Sequence, residues 1–272
     1  MGGSLILSSR RAQAPYYVDE LGLSIYTIEE LCYYIYNYLE FLDDDFIDDE
    51  LLNFIGKGMG LKELAEKTRR WIKSGSDFGQ IVLMLEKDVH YLNGQELGDL
   101  KARLDWRRSA KPADRLKKKA DTLVTFKKYR QAIVIYDAIL EKERVMALSI
   151  KSKGRLLHNK GMAYAKLFMF GEAARSLEQA FPMLDSVEVL KEIFFLQYID
   201  RQAVGEPECL SRVSEEVKAE WTKEIAEYSQ EAEQSQEYKS VLDANNQDSY
   251  KRQEFFYQLL RRWKSEYRDM VK

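Results

Sequence analysis

The chain has 272 residues, 45% of them hydrophobic and 32% charged, with a net charge of −3. That composition excludes an intrinsically disordered chain, and the length suffices for one large domain or two modest ones. With 4 prolines and 14 glycines among abundant Leu, Glu, Lys and Ala, the chain favours long helices over strands.

The small net charge hides strong blocks. Residues 19–66 hold 13 acids and 2 bases, 101–130 hold 3 acids and 12 bases, 206–237 hold 10 acids and 3 bases, and 251–272 hold 3 acids and 7 bases. Blocks of opposite sign either pair within a fold or steer partners, and pairing is the ordinary outcome. The cysteines, Cys32 and Cys209, are too few and too far apart for a disulfide framework or a zinc site, so reduced thiols in a cytoplasmic protein are expected.

In chain order, residues 1–15 read as a loose terminus whose apolar run, Leu5, Ile6 and Leu7, is far shorter than a signal-peptide core. Runs at 15–18 and 23–26 flank Gly22 and can form a small β-hairpin. Thr27 with Glu30 makes a capping box for a helix that places Ile28, Leu31, Cys32, Ile35, Leu39 and Leu42 on one face. The acids at 43–45 and 48–50 lack the Gly and Glu of an EF-hand loop at its sixth and twelfth positions, and read as helix caps. Gly56, Gly58 and Gly60 lack phosphate-loop spacing and read as a helix stop. Helices are then predicted at about 61–74, 77–91, 95–109, 113–127, 130–143, 150–168, 171–182 and 186–202. Gly205 and Pro207 break the chain. A long acidic helix is predicted from Ser211 toward Lys239, and a last helix from Asp248 to Met270. On that last helix Phe256, Leu260, Trp263, Tyr267 and Met270 form one apolar stripe flanked by Arg261, Arg262, Lys264 and Arg268. Such a stripe caps the open end of a helical array, or meets a partner helix or an anionic membrane.

Two segments share a residue rhythm: Leu116, Ala120, Leu123, Tyr129, Ala132, Tyr136 and Leu157, Gly161, Tyr164, Phe170, Ala173, Leu177, Ala180. In each, two small residues stand twelve positions apart, and a large residue follows the first small one by three. This resembles the tetratricopeptide repeat (TPR), a helix pair of about 34 residues. The units depart from the family at Ile139, where a small residue is usual, and at Lys119 and Lys160, where Leu is favoured. A third unit near Leu190 carries Phe194 in a small-residue place. The resemblance implies an all-α solenoid of antiparallel helix hairpins, with Gly161 against Ala173. The implied regions are 1–110 (N-terminal helices), 111–205 (repeats) and 206–272 (a long helix and a capping helix).

The family implies a non-catalytic scaffold that binds a protein or peptide segment in the groove lined by the first helices. Here those positions are Lys117, Asp121, Arg155, His158, Asn159, Met162 and Lys166. Lys117 and Asn159 fall in two places of the family's carboxylate clamp, but Asp121 stands where the clamp wants Asn and would repel a carboxylate. The alternative is a nucleic-acid-associated protein using the tract 101–130, through Arg103, Arg107, Arg108, Lys111, Arg115 and Lys118. No catalytic signature, cofactor motif or metal-ligand spacing is present in the sequence, so no enzyme, cofactor or metal is expected, and no run is apolar enough to span a membrane.

Overall fold

The computed structural model describes residues 11–18, 21–142 and 144–271. Of the terminus expected to be loose over 1–15, residues 1–10 lie outside them, whereas Ala12 is buried and its amide donates to Tyr26 O at 2.9 Å, which ties that end to the hairpin. Among the described residues there are fourteen α-helices and one two-stranded sheet, an all-α fold. The chain divides into two units, Met1–Lys111 and Pro112–Lys272.

In the first unit, strands β1 (Tyr16–Val18) and β2 (Leu23–Ile25) pair antiparallel, Tyr16 opposite Ile25, and Gly22 takes the left-handed conformation at the turn. Alternation turns Val18 and Ile25 into the core and leaves Tyr17 and Ser24 in solvent. Helix α1 (Ile28–Asn37) opens with the expected capping box: Glu30 N donates to Thr27 Oγ1 at 3.2 Å, and Thr27 N donates back to Glu30 Oε2 at 3.3 Å. A 3-10 turn (Leu39–Phe41) follows. Asp48 caps α2 (Asp49–Asn53) by accepting from Leu51 N at 2.8 Å. The glycine-rich stretch is a π-helical turn (Phe54–Gly58), in which a Cβ on Gly56 would stand 3.2 Å from Ala65 Cβ. Helices α3 (Lys62–Lys73), α4 (Phe78–Val89) and α5 (Gly94–Ser109) complete the unit, with capping boxes at Asp77/Gln80 and Asn93/Glu96. His90, at φ 57°, makes the C-terminal turn of α4.

The core of this unit is built on Leu31, Cys32, Ile35, Leu51, Leu52, Ile55, Val82, Leu85 and Leu100. Two polar side chains of the unit are fully buried: Thr68, whose hydroxyl donates to Leu64 O at 2.9 Å, and Glu86. Glu86 has no solvent exposure, and neither of its carboxyl oxygens has a hydrogen-bond partner. Burial raises its pKa from 4.5 to about 8, against the lowering effect of the Cys32 thiol beside it. Burial and the same carboxyl push the Cys32 thiol well above its usual range.

The second unit opens with α6 (Pro112–Thr125), whose first residue is the proline that suits a helix start. Next come α7 (Tyr129–Glu141), α8 (Ile150–Lys166), α9 (Phe170–Leu184) and α10 (Val187–Ile199), each packed on the one before. The turns α6–α7 and α8–α9 are alike, displaced by 41 positions. Lys127 and Phe168 both adopt positive φ (59° and 60°). Lys127 N donates to Val124 O and Lys128 N to Leu123 O, as Phe168 N does to Ala165 O and Met169 N to Tyr164 O, all at 2.9–3.0 Å. This is the Schellman pairing, formed twice without the glycine that usually makes it. Ala120 and Ala132 are fully buried. An added Cβ on Gly161 would meet Leu177 Cγ at 2.9 Å and the Ala173 carbonyl at 3.1 Å, so α8 and α9 are in backbone-limited contact there.

After α11 (Arg201–Val204), a 3-10 turn (Glu208–Arg212) carries Cys209; both cysteines are free thiols, Cys32 buried and Cys209 half-buried. The acidic helix expected to run unbroken to Lys239 is two helices, α12 (Glu215–Gln234) and α13 (Gln236–Asn245). Ser235 leaves helical geometry (ψ 148°) and its hydroxyl accepts from Tyr238 N at 3.2 Å, so a side-chain cap replaces the helical ladder. Residues 206–272 pack with the hairpins: Trp221 of α12 lies 5.5 Å from Phe194 of α10, and Lys191 pairs with Glu224 at 2.6 Å. The bulky Phe194 is accommodated by that contact. Helix α14 (Ser249–Val271) buries Leu259 at its middle and is anchored at its tip by Met270 and Val271 against Tyr129, Ile133, Ala163 and Leu167.

Candidate functional site

Helices α6 and α8 open the packed pairs α6–α7 and α8–α9, α10 packs on α9, and a polar ladder runs between α6, α8 and α10. On α6, Lys117 and Asp121 stand one turn apart and form an ion pair. The other oxygen of Asp121 accepts from Tyr136 Oη of α7 at 2.6 Å and from Asn159 Nδ2 of α8 at 2.9 Å. Asn159 Oδ1 lies 3.4 Å from His158 Nδ1, and His158 Nε2 is 2.8 Å from Glu192 Oε2 on α10.

The electrostatics follow from these contacts. Burial, and then the Asp121 carboxylate that accepts its proton, push the Tyr136 hydroxyl well above its usual range. The hydrogen bond to Glu192 raises the His158 pKa above 6.5 against the opposing effect of burial. When protonated, the imidazolium donates at both ends, to Glu192 and to Asn159.

The ladder joins four of the seven groove positions: Lys117, Asp121, His158 and Asn159. Arg155, Met162 and Lys166 share the stripe of α8 that carries Asn159, at spacings of four, three and four; Arg155 and Lys166 are exposed and Met162 is half-buried. The clamp geometry is already taken: Lys117 and Asn159 both spend their donors on the chain's own Asp121 carboxylate. Tyr136 and Glu192 are members that sequence reasoning missed as site residues. Tyr136 lay in the repeat rhythm as a core residue. Glu192 follows His158 by 34 positions, one repeat length, and that offset was the available signal. Lys160, a departure from the repeat pattern, pairs with Asp137 of α7 and holds its ammonium 5.6 Å over the Tyr164 ring.

The basic tract is divided between the two units. Arg103 donates to Tyr36 O and lies 3.3 Å from Glu40. Arg107 donates to Leu39 O at 3.1 Å, pairs with Asp44 at 2.7 Å and lies 5.0 Å over the Phe78 ring. Arg108 is exposed and reaches Asp77 at 3.5 Å. Thus the basic block's first members tie α5 to the acidic segment after α1. Lys111 and Lys118 are exposed and Arg115 is half-buried.

The stripe expected on the last helix is sealed only at its ends. Leu260, Trp263 and Tyr267 remain 44–48% exposed, while Arg262 pairs with Glu237 of α13 and Trp263 Nε1 donates to the same carboxylate at 3.2 Å. Among the described residues, no helix is long and apolar enough to cross a membrane, and no three His, Cys, Asp or Glu side chains converge as a metal-binding group. No family model matches the chain, and no curated protein or solved structure is significantly similar to it.

Proposed function

We propose that the second unit is a TPR-like array and that the chain is a non-catalytic scaffold in the cytoplasm, holding an extended segment of another protein against α6, α8 and α10. The observation that supports this reading is the ladder from Lys117 through Asp121, Asn159 and His158 to Glu192, which joins α6, α8 and α10. The repeated turn, with the same hydrogen bonds at Lys127 and Phe168, supports a repeat with a 41-residue step between these two units.

The charge left on the groove defines the segment. Asp121, Glu192 and Lys117 neutralise their neighbours, while the exposed cations Arg155 and Lys166 remain on α8, with the half-buried Met162 between them as an apolar contact. An acidic segment with an apolar side chain fits that stripe, and a bare terminal carboxylate does not, because Asp121 already fills its place. The nucleic-acid reading is weakened by the internal engagement of Arg103 and Arg107.

The test is to pan a random peptide display library on the immobilised full chain and on an Arg155→Glu/Lys166→Glu variant. The proposal expects acidic sequences to be enriched on the parent chain and lost on the variant. Equal enrichment on both, or enrichment of nucleic acid alone from a mixed competitor pool, overturns it.

A further inference from the structure

Helix α14 has two sides. Leu259, Arg262, Trp263 and Met270 meet the chain's own helices: Leu259 is buried, Arg262 and Trp263 share the Glu237 carboxylate of α13, and Met270 packs against α7 and α8. Around the helix from these stand Tyr257, Leu260, Arg261, Lys264, Tyr267 and Arg268, all exposed, Tyr257 at 68%. Their spacings of three, four and seven put them on one face. The cations on that face are unspent. Among the described residues, Lys251 and Arg262 make the ion pairs of this helix, and Arg261, Lys264 and Arg268 make none. A free helical face of this kind, large side chains beside cations, fits an anionic surface with room for the rings.

Helix α12 carries such a surface. Val217, Trp221, Glu224 and Ile225 lie on its inner side, where Trp221 is buried and Lys191 holds Glu224 at 2.6 Å. The outer side shows Ala219, Glu220, Ala226, Glu227 and Glu231, all exposed, with Lys223 as its one base. Among the described residues, none of these three glutamates forms an ion pair.

The two faces share a period. The large–basic pairs Leu260–Arg261 and Tyr267–Arg268 are seven residues apart, and so are the small–acidic pairs Ala219–Glu220 and Ala226–Glu227. Each step is about 10.5 Å of helix. Seven-residue spacing is that of helices packed side by side, so Leu260 and Tyr267 can seat over the two alanines while the arginines reach the two glutamates. Within one chain all eight side chains are exposed, so neither face is covered there. Each copy carries both faces, and a two-fold axis therefore makes the contact twice and closes it.

We propose that α14 of one copy packs along α12 of a second copy, reciprocally, in a two-fold dimer. The proposal is independent of the groove reading.

The test is sedimentation of the full chain over a concentration series, beside two charge-reversed variants, Glu220→Lys/Glu227→Lys and Arg261→Glu/Arg268→Glu. All four positions are exposed on helices, so the variants' helical circular dichroism should match the parent's. The expected result is a parent whose mass doubles with concentration, and variants whose self-association is each weaker by at least about tenfold. Mixed one to one, the variants should associate again, because each reversed face finds its complement on the other. Higher salt should weaken parent and mixture alike. A parent that stays monomeric, a dimer that survives either reversal, or a mixture that does not associate overturns the proposal. So does capture of a monomeric chain by anionic vesicles or RNA through Arg261 and Arg268, which gives the α14 face another occupant.

Discussion

Replacing Glu86 with methionine should stabilise the first unit, and the gain should grow with pH. A glutamate in water gives up its proton near pH 4.5, whereas Glu86 in the folded chain holds it to about 8. Because the folded-state value is raised, the unfolded chain releases the proton first as pH increases. Stability therefore declines from pH 4.5 to about 8 and levels off above that. Each pH unit in the window weighs about 1.4 kcal/mol, so the buried carboxyl costs under about 1 kcal/mol at pH 5, about 3 at pH 7 and about 5 at pH 9. Methionine has nearly the same length, carries no acceptor to leave unsatisfied and has no proton to lose; its misfit should cost less than about 1.5 kcal/mol. The assay is urea unfolding of parent and Glu86→Met chains at pH 5, 7 and 9, read by hydrogen exchange at the α1 and α4 amides so that the first unit is followed separately. A substitution effect of equal size at all three pH values, or a loss of stability throughout, would refute the reasoning.

Three further outcomes follow from the second unit. Lys127→Gly and Phe168→Gly each place the residue that favours positive φ at the Schellman turn, and each should raise stability by about 1 kcal/mol in urea denaturation. Gly161→Ala gains helix propensity worth about 1 kcal/mol, but drives a methyl into Leu177 and the Ala173 carbonyl, so a net loss of about 1–3 kcal/mol is expected from thermal or urea unfolding. Glu192→Gln should lower the His158 pKa in an NMR titration. The raised histidine contributes stability that is complete below pH 6.5 and is lost as pH rises through the folded-state value, so the variant's deficit should be largest below pH 6.5 and shrink above it.

The helices and their starts were legible because their signals are local. Thr27 with Glu30, Asp48 before α2, Pro112 opening α6 and the apolar rhythm around Ala120 and Gly161 each act within a turn or two of chain. What the sequence concealed depended on partners far along it. The break at Ser235 turns on whether a serine hydroxyl or the helical ladder holds one amide, and composition does not decide between them. The α14 stripe was read as a cap, a partner face or a membrane face; Met270 does meet apolar partners, yet Leu260, Trp263 and Tyr267 stay 44–48% exposed and Trp263 donates to Glu237. Glu86 stands four residues after Val82 and three before Val89, on the apolar face of α4, but its complete enclosure depends on neighbours far along the chain. In the groove, Asp121 was recognised as foreign to a carboxylate clamp, but its binding to Lys117, Tyr136 and Asn159 required the packing of α6, α7 and α8.

The groove is tested most directly by hydrogen exchange of the full chain with and without an acidic peptide taken from the panning experiment. The account predicts slowed exchange confined to α6, α8 and α10, abolished by Arg155→Glu/Lys166→Glu. Protection that falls instead on α12, α13 or α14, or that survives the double charge reversal, would contradict it.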